Sequence, residues 1–145
     1  YREYFVHNGI NFTTDGESKK NTLNNFLNSF FEREIKVKLI YPLPEVGWNL
    51  SKLNMVNKIF KGGIPEEVST SFNVFLKRQN FSYYTLNSVK KNSLLEKINL
   101  DSVFCNQDLK DRCIAQIDGI PLYYDSNHLT NKGAEVLIKN TNLVK

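Results

Sequence analysis

Apolar residues recur at helical spacing in "ESKKNTLNNFLNSFFERE", with Asn and charged residues between them. This spacing predicts an amphipathic helix whose apolar face consists of Leu23, Phe26, Leu27, Phe30 and Phe31. The next stretch, "IKVKLIYPLP", is short and apolar, and its prolines cannot continue a strand ladder. The pattern therefore predicts a strand that ends near Tyr41, and a helix followed by a strand indicates an α/β unit.

The middle of the chain predicts a similar alternation. We interpret "PEVGWNLSKLNMVNKIFKGGIP" as a loop, followed by a helix that begins near Pro65 and includes "EEVSTSFNVFLKRQ". Proline is tolerated in a first helical turn, and the negative charges of Glu66 and Glu67 complement the positive N-terminal end of the helix dipole. The aromatic stretch "FSYYTL" predicts a strand, and the apolar spacing in "SVKKNSLLEKI" predicts a helix.

The C-terminal part predicts a short extended segment in "GIPLYY" and a final helix in "NKGAEVLIKN", with Thr130 as its N-cap. Alternating helices and strands favour an α/β fold with three α/β/α layers and a mostly parallel sheet. The length of 145 residues suits one domain. We therefore treat residues 1–145 as a single domain fragment.

The composition is that of an ordinary globular domain, with 41% hydrophobic and 23% charged residues. The net charge of +4 comes from scattered basic pairs rather than one basic face, so we predict no nucleic-acid binding. No apolar run approaches the ~18 residues of a membrane span, and the first residues lack the order of a signal peptide. Because the chain opens at Tyr1 in an apparently structured segment, we expect it to be part of a longer polypeptide.

The two cysteines, Cys105 and Cys113, enclose the polar stretch "NQDLKDR". Further Cys or His ligands at zinc-site spacing do not accompany them, so we predict neither a metal nor a cofactor. Their polar surroundings favour a local disulfide and hence an oxidising compartment. The alternative is a pair of reduced cysteines in a cytosolic loop.

The candidate chemistry lies in "LYYDSNHLTNKGAEVL", where Asp125 precedes His128 by three residues. Serine-type hydrolases and acyltransferases use an imidazole to take the hydroxyl proton and a carboxylate to orient that imidazole. Asp125 and His128 could supply both groups. Alternatively, Asp125 only caps the turn and His128 donates to a backbone carbonyl.

Trp48, in "PEVGWNL", is a weaker candidate for substrate binding. An aromatic face can stack on a sugar ring while the indole N–H reaches a hydroxyl. Trp48 could equally cover the core from a loop. The sequence leaves both interpretations open.

The motif around Asp125 and His128 resembles the closing block of SGNH-type hydrolase domains, specifically those attached to the membrane-bound acyltransferase-3 proteins that O-acylate bacterial surface polysaccharides. "VKLIYPLPEVGW" is similar to a strand and Pro-rich exit found mid-domain in that family. Cys105 and Cys113 look like its cysteine pair, and "YREY" at Tyr1–Tyr4 resembles a further segment. The resemblance implies an SGNH or flavodoxin-like α/β fold.

By this resemblance Asp125 is the orienting acid and His128 the general base for an acyl-serine intermediate. The family's Gly-Asp-Ser turn does not occur in this sequence; the nearest string is "DGES", where we interpret Ser18 as a helix cap. The chain then corresponds to roughly the C-terminal half to two thirds of such a domain. The nucleophile and the oxyanion hole would lie upstream in the parent polypeptide, so this chain alone would be nearly inactive.

The resemblance also implies partners and a location. We expect an acyl-donating integral-membrane acyltransferase domain on the same polypeptide and a surface polysaccharide, such as lipopolysaccharide, as the acetyl acceptor. The domain would be periplasmic or at the cell surface, tethered to the inner or cytoplasmic membrane through the parent protein. The alternatives are an SGNH esterase that removes acetyl groups and a non-catalytic glycan-binding module.

Overall fold

The computed structural model describes residues 12–144, so the "YREY" stretch lies outside the described residues. Five helices form in that range: α1 Phe12–Phe31, α2 Leu50–Phe60, α3 Phe72–Asn87, α4 Asp101–Phe104 and α5 Asn131–Lys139. Five strands lie between them: β1 Val37–Ile40, β2 Val68–Ser71, β3 Leu95–Ile98, β4 Arg112–Ile117 and β5 Ile120–Pro121. The predicted mixed α/β class is confirmed.

The strands of the described residues form two small sheets. The strands β1 and β3 run parallel: Val37 N–H donates to the Leu94 carbonyl, and Tyr41 N–H donates to the Ile98 carbonyl. The strands β2, β4 and β5 form an antiparallel sheet in that order. Within residues 12–144 the pairing is thus more antiparallel than parallel, which differs from the predicted mostly parallel sheet.

A tight hairpin explains part of this difference. Ile117 faces Ile120 across the turn Asp118-Gly119, and both turn residues have positive φ, 49° and 74°. Asp-Gly is the residue pair that favours such a two-residue turn, because Gly has no Cβ to clash at positive φ. A connection this short can only join antiparallel neighbours.

The first strand, the helix in residues 12–31 and the last helix agree with the predictions, whereas the middle of the chain does not. The predicted loop contains α2, whose N-cap Asn49 accepts from the Lys52 N–H. The helix predicted from Pro65 is first the strand β2, because Val68–Ser71 pairs with β4. Ser18 lies inside α1, so its assignment as a helix cap was wrong.

The segment predicted as the strand "FSYYTL" is instead the second half of α3. Nothing between Phe72 and Asn87 breaks a helix, so tertiary context overrides the strand preference of the aromatic residues. The helix predicted in "SVKKNSLLEKI" is also wrong. Asn92 accepts from the Leu94 N–H and turns the chain into β3, which pairs with β1.

The chain divides into two compact units. One contains the residues up to Leu39 together with Asn80–Glu96. In this unit the Lys20 ammonium lies 3.6 Å from the Tyr84 ring centroid and 2.9 Å from Glu17. These contacts join α1 to the second half of α3.

The other unit contains Ile40–Gln79 and Lys97–Lys145, and it holds a buried cluster of apolar residues. The cluster is formed by Val46, Leu50, Val103, Phe104, Cys105, Cys113, Ala115, Leu122 and Tyr123. The predicted disulfide is confirmed: Cys105 and Cys113 are bonded and face each other across an antiparallel bridge. Closing so short a loop contributes about 2 to 3 kcal/mol in the chain-entropy model.

The predicted N-cap of the last helix is also confirmed, and it fastens α5 to β5. Thr130 Oγ1 accepts from the Gly133 N–H and donates to the Pro121 carbonyl. Gly133 lies so close to β5 that a Cβ placed there would be 2.1 Å from the Leu122 carbonyl oxygen. Only glycine allows this approach of helix to strand.

We predict that Gly133→Ala destabilises the chain by about 2 kcal/mol, because the cost of overpacking exceeds the gain in helix propensity. Gly63→Ala is the matched control, since a Cβ at Gly63 meets nothing within 4 Å. Urea unfolding measures the free energy of unfolding of both variants. Equal stability of the two variants would contradict this packing.

Candidate active site

The residues Asp125–His128 form a tight turn that follows the buried end of an extended segment. Leu122 is fully buried and Tyr123 is 1% exposed. Beyond them, Tyr124 N–H donates to the His128 carbonyl at 2.7 Å, and Tyr123 and Leu129 form a bridge. The two sides of the turn are therefore paired with each other, and the turn follows directly on buried residues.

The Asp125 carboxylate stabilises this turn by accepting hydrogen bonds from its backbone. Its Oδ1 accepts from the Asn127 N–H at 2.9 Å and from the His128 N–H at 2.8 Å. Such a loop, in which an aspartate accepts from the backbone that follows it, is a common use of Asp in turns. The interpretation of Asp125 as a turn cap is therefore correct, but it is incomplete.

The second carboxylate oxygen, Asp125 Oδ2, lies 2.7 Å from His128 Nδ1. An ionised carboxylate only accepts, so the proton of this hydrogen bond belongs to Nδ1 and the neutral ring keeps its lone pair on Nε2. The histidine side chain is 73% exposed and that of the aspartate 35%. The pair can therefore take a proton from a group that approaches Nε2 from outside.

The hydrogen bonds keep the aspartate charged. The pKa of Asp125 falls from 3.8 to about 2, first because of the backbone N–H groups of Asn127 and His128, and then because of the His128 ring. A carboxylate that stays ionised can stabilise an imidazolium without taking its proton. This is the electrostatic arrangement that an acid–histidine pair needs.

Residues 2–140 match the family described as "SGNH domain (fused to AT3 domains)", where AT3 denotes acyltransferase-3. The chain belongs to this SGNH family. Neither a curated relative nor a solved structure matches it.

The turn of this SGNH domain has a second support that the sequence did not predict. The Ser126 carbonyl accepts from the Val46 N–H at 2.9 Å and from the Gly47 N–H at 3.3 Å. Gly47 has φ +87°, and a Cβ there would lie 3.3 Å from Arg78 Nη1. The "VG" pair in "PEVGW" was the available signal, because glycine often marks a backbone that must bend or approach closely.

These two hydrogen bonds place the loop that contains Trp48 beside the Asp125–His128 turn. The Trp48 side chain is 40% exposed, so it does not lie inside the core. Tyr124, immediately before Asp125, is 70% exposed. The SGNH domain thus presents aromatic surface on both chain segments that meet at Ser126.

The other predicted residues have structural roles. Cys105 and Cys113 belong to the buried cluster that also contains Leu122 and Tyr123. Within residues 12–144, no group of three or more His, Cys, Asp or Glu side chains could hold a metal ion. Over the same described range, none of the helices combines the length and apolarity needed to cross a bilayer.

We predict that the pKa of Asp125, followed by carboxyl carbon NMR, lies at about 2, as its hydrogen bonds require. His128→Ala raises that pKa but leaves it below 3.8, because the two backbone donors remain. Since the folded pKa is the lower one, the stabilisation is present above pH 3.8 and is lost as the pH falls toward 2. An ordinary pKa for Asp125 in the unsubstituted chain would contradict this geometry.

Proposed function

We propose that this SGNH domain supplies the acid and base residues of an extracytoplasmic O-acyltransferase, which transfers an acetyl group to a cell-surface polysaccharide. The observation that supports this proposal is the 2.7 Å contact between Asp125 Oδ2 and His128 Nδ1, with the histidine side chain largely exposed. The family is described as fused to AT3 domains. An integral-membrane acyltransferase domain on the same polypeptide is then the acyl donor.

The proposed chemistry has two half-reactions. In the first, His128 Nε2 takes the proton of a serine hydroxyl while the serine oxygen attacks the donor's acyl carbonyl, and the donor's leaving group departs with that proton. In the second, His128 takes a proton from a sugar hydroxyl, the sugar oxygen attacks the acyl-serine, and the serine oxygen recovers the proton. Asp125 holds the ring and balances its positive charge in both.

The serine and the oxyanion donors belong, in this proposal, to a part of the parent polypeptide upstream of Tyr1. That part would also supply the strands that complete a three-layer α/β/α domain with a mostly parallel sheet. The described residues then form the C-terminal portion. Without its nucleophile, this chain alone should have almost no activity, because such groups act together.

The proposed location is outside the cytoplasm, in the periplasm or at the cell surface, with the parent protein anchored in the inner or cytoplasmic membrane. The bond between Cys105 and Cys113 supports this location, since disulfides persist in oxidising compartments. The described residues contain no membrane-crossing helix. The description of the family as fused to AT3 domains supports placing the membrane anchor in the acyltransferase domain of the parent.

For the acceptor, we propose that Trp48 stacks on a sugar ring of the polysaccharide. Val46 and Gly47 fix this loop to the Ser126 carbonyl, so the indole is positioned by backbone hydrogen bonds rather than by its own burial. A partly exposed indole offers an apolar face and an N–H donor, which suit a sugar. The same surface would serve an esterase if water replaced the sugar hydroxyl.

A fluorophosphonate probe tests the acyl-serine mechanism in the longest native polypeptide that contains these residues. We predict a label on one serine upstream of Tyr1, with a rate that His128→Ala lowers by a factor on the order of 10³ or more, since the base is lost. Asp125→Asn lowers it by a factor on the order of 10³ to 10⁴ because the wrong tautomer is favoured.

The chain's other histidine supplies the matched control, and His7→Ala should label like the unsubstituted protein. A label that is indifferent to His128, or no label on any serine, would contradict the enzyme proposal and favour a glycan-binding module. Release of free acetate without transfer to the polysaccharide would identify an esterase.

A further inference from the structure

The helix α2, Leu50–Phe60, buries two asparagine side chains and exposes four large apolar ones. Leu50, Asn54 and Asn57 are its buried residues. Asn54 and Asn57 are only 7% and 5% exposed. Leu50 belongs to the buried apolar cluster and Leu53 packs against it, so leucines and amides share the inner side of α2.

Hydrogen bonds explain why the inner side tolerates amides. Asn54 Nδ2 donates to Gln116 Oε1 at 2.6 Å, and Gln116 Nε2 donates to the Pro65 carbonyl. Gln116, on β4, is itself 1% exposed. One amide pair thus forms inside the protein, and Leu50 and Leu53 attach α2 to the buried apolar cluster, so the attachment does not need the exposed apolar side chains of α2.

The outward side of α2 is a continuous apolar surface. Met55 and Ile59 are one helical turn apart, as are Val56 and Phe60, and all four are exposed. Ile59 and Phe60 are 65% and 79% exposed. Large aliphatic and aromatic side chains at adjacent positions are uncommon on a free surface and indicate a binding face.

The charged residues of α2 and of the chain directly beside it in sequence have one sign. Lys52, Lys58 and Lys61 are exposed, and no Asp or Glu occurs between Glu45 and Glu66. Apolar side chains bordered by lysines on one short helix match helices that lie in the interface of a membrane with anionic lipids. The lysines do not favour pairing of two copies of this chain through α2, because the lysines of one copy would repel those of the other.

We propose that the outward face of α2 (Met55, Val56, Ile59 and Phe60, with Lys52, Lys58 and Lys61) docks on an anionic lipid bilayer surface. The apolar side chains enter the boundary between headgroups and acyl chains, and the ammonium groups remain among the phosphates. This binding does not require the acid–histidine pair or a nucleophile. It therefore stands or fails separately from the proposed acyl transfer.

Co-sedimentation of the chain with vesicles tests the proposal, using equal parts phosphatidylglycerol and phosphatidylcholine against phosphatidylcholine alone. We expect binding to the anionic vesicles to be at least about tenfold stronger and to weaken as salt is raised. Phe60→Ser and Ile59→Ser should each weaken it about five- to tenfold. Lys58→Gln should weaken it about fivefold.

Matched controls come from exposed apolar residues on other helices. Phe26→Ser on α1 and Ile138→Ser on α5 replace side chains that are 58% and 50% exposed, and they should change binding less than twofold. Because all these positions are exposed, an unchanged thermal midpoint verifies folding for each variant. Equal binding to both vesicle types, or equal loss in the controls, would overturn the proposal. The proposal would also be overturned if the chain did not bind vesicles but self-associated, and if Phe60→Ser abolished that self-association.

Discussion

One carboxylate organises the candidate site. Asp125 accepts two backbone N–H groups through one oxygen and the His128 ring through the other. The same side chain therefore shapes the turn and selects the histidine tautomer. At a spacing of three residues, the carboxylate reaches both the backbone of the turn and the ring.

The turn needs a rigid base, and three separate contacts provide it. Leu122 and Tyr123, which precede the turn in sequence, are buried. Gly133 lets α5 approach the Leu122 carbonyl closely. The Val46 and Gly47 N–H groups donate to the Ser126 carbonyl within the turn. A catalytic pair that is itself exposed can keep its geometry only if the backbone beneath it is held in this way. The disulfide belongs to the same buried cluster as Leu122 and Tyr123.

Local signals predicted the elements that local interactions decide. The spacing in α1, the Thr130 cap of α5, the Asp–His turn and the cysteine pair all depend on residues close in sequence. The middle of the chain failed because distant partners decide it. Val68–Ser71 becomes a strand by pairing with β4. The Asp118-Gly119 pair is a local signal for the antiparallel hairpin of β4 and β5. The helix α2 was missed because its inner side carries Asn54 and Asn57, which a search for apolar periodicity treats as loop residues.

The same reasoning applies to the site. Four consecutive residues indicated the Asp125–His128 pair but left open whether Asp125 only caps the turn, whereas the hydrogen bonds from Val46 and Gly47 to Ser126 join segments about 80 positions apart and no local rule reveals them. The position of the Asp125–His128 turn beside Trp48 likewise depends on the fold and not on local sequence. The nucleophile is the part of the proposed mechanism for which this sequence offers no Gly-Asp-Ser turn, so its place upstream of Tyr1 belongs to the proposal.

The most direct test of the account is the tautomer of His128, measured by nitrogen NMR of the imidazole ring at neutral or slightly alkaline pH. For the neutral form of the ring, the account predicts the proton on Nδ1, facing Asp125, and a shift toward the other tautomer in Asp125→Asn. A ring that carries its proton on Nε2, or one that Asp125→Asn leaves unchanged, would contradict the role of Asp125 as the group that prepares His128 to act as a base.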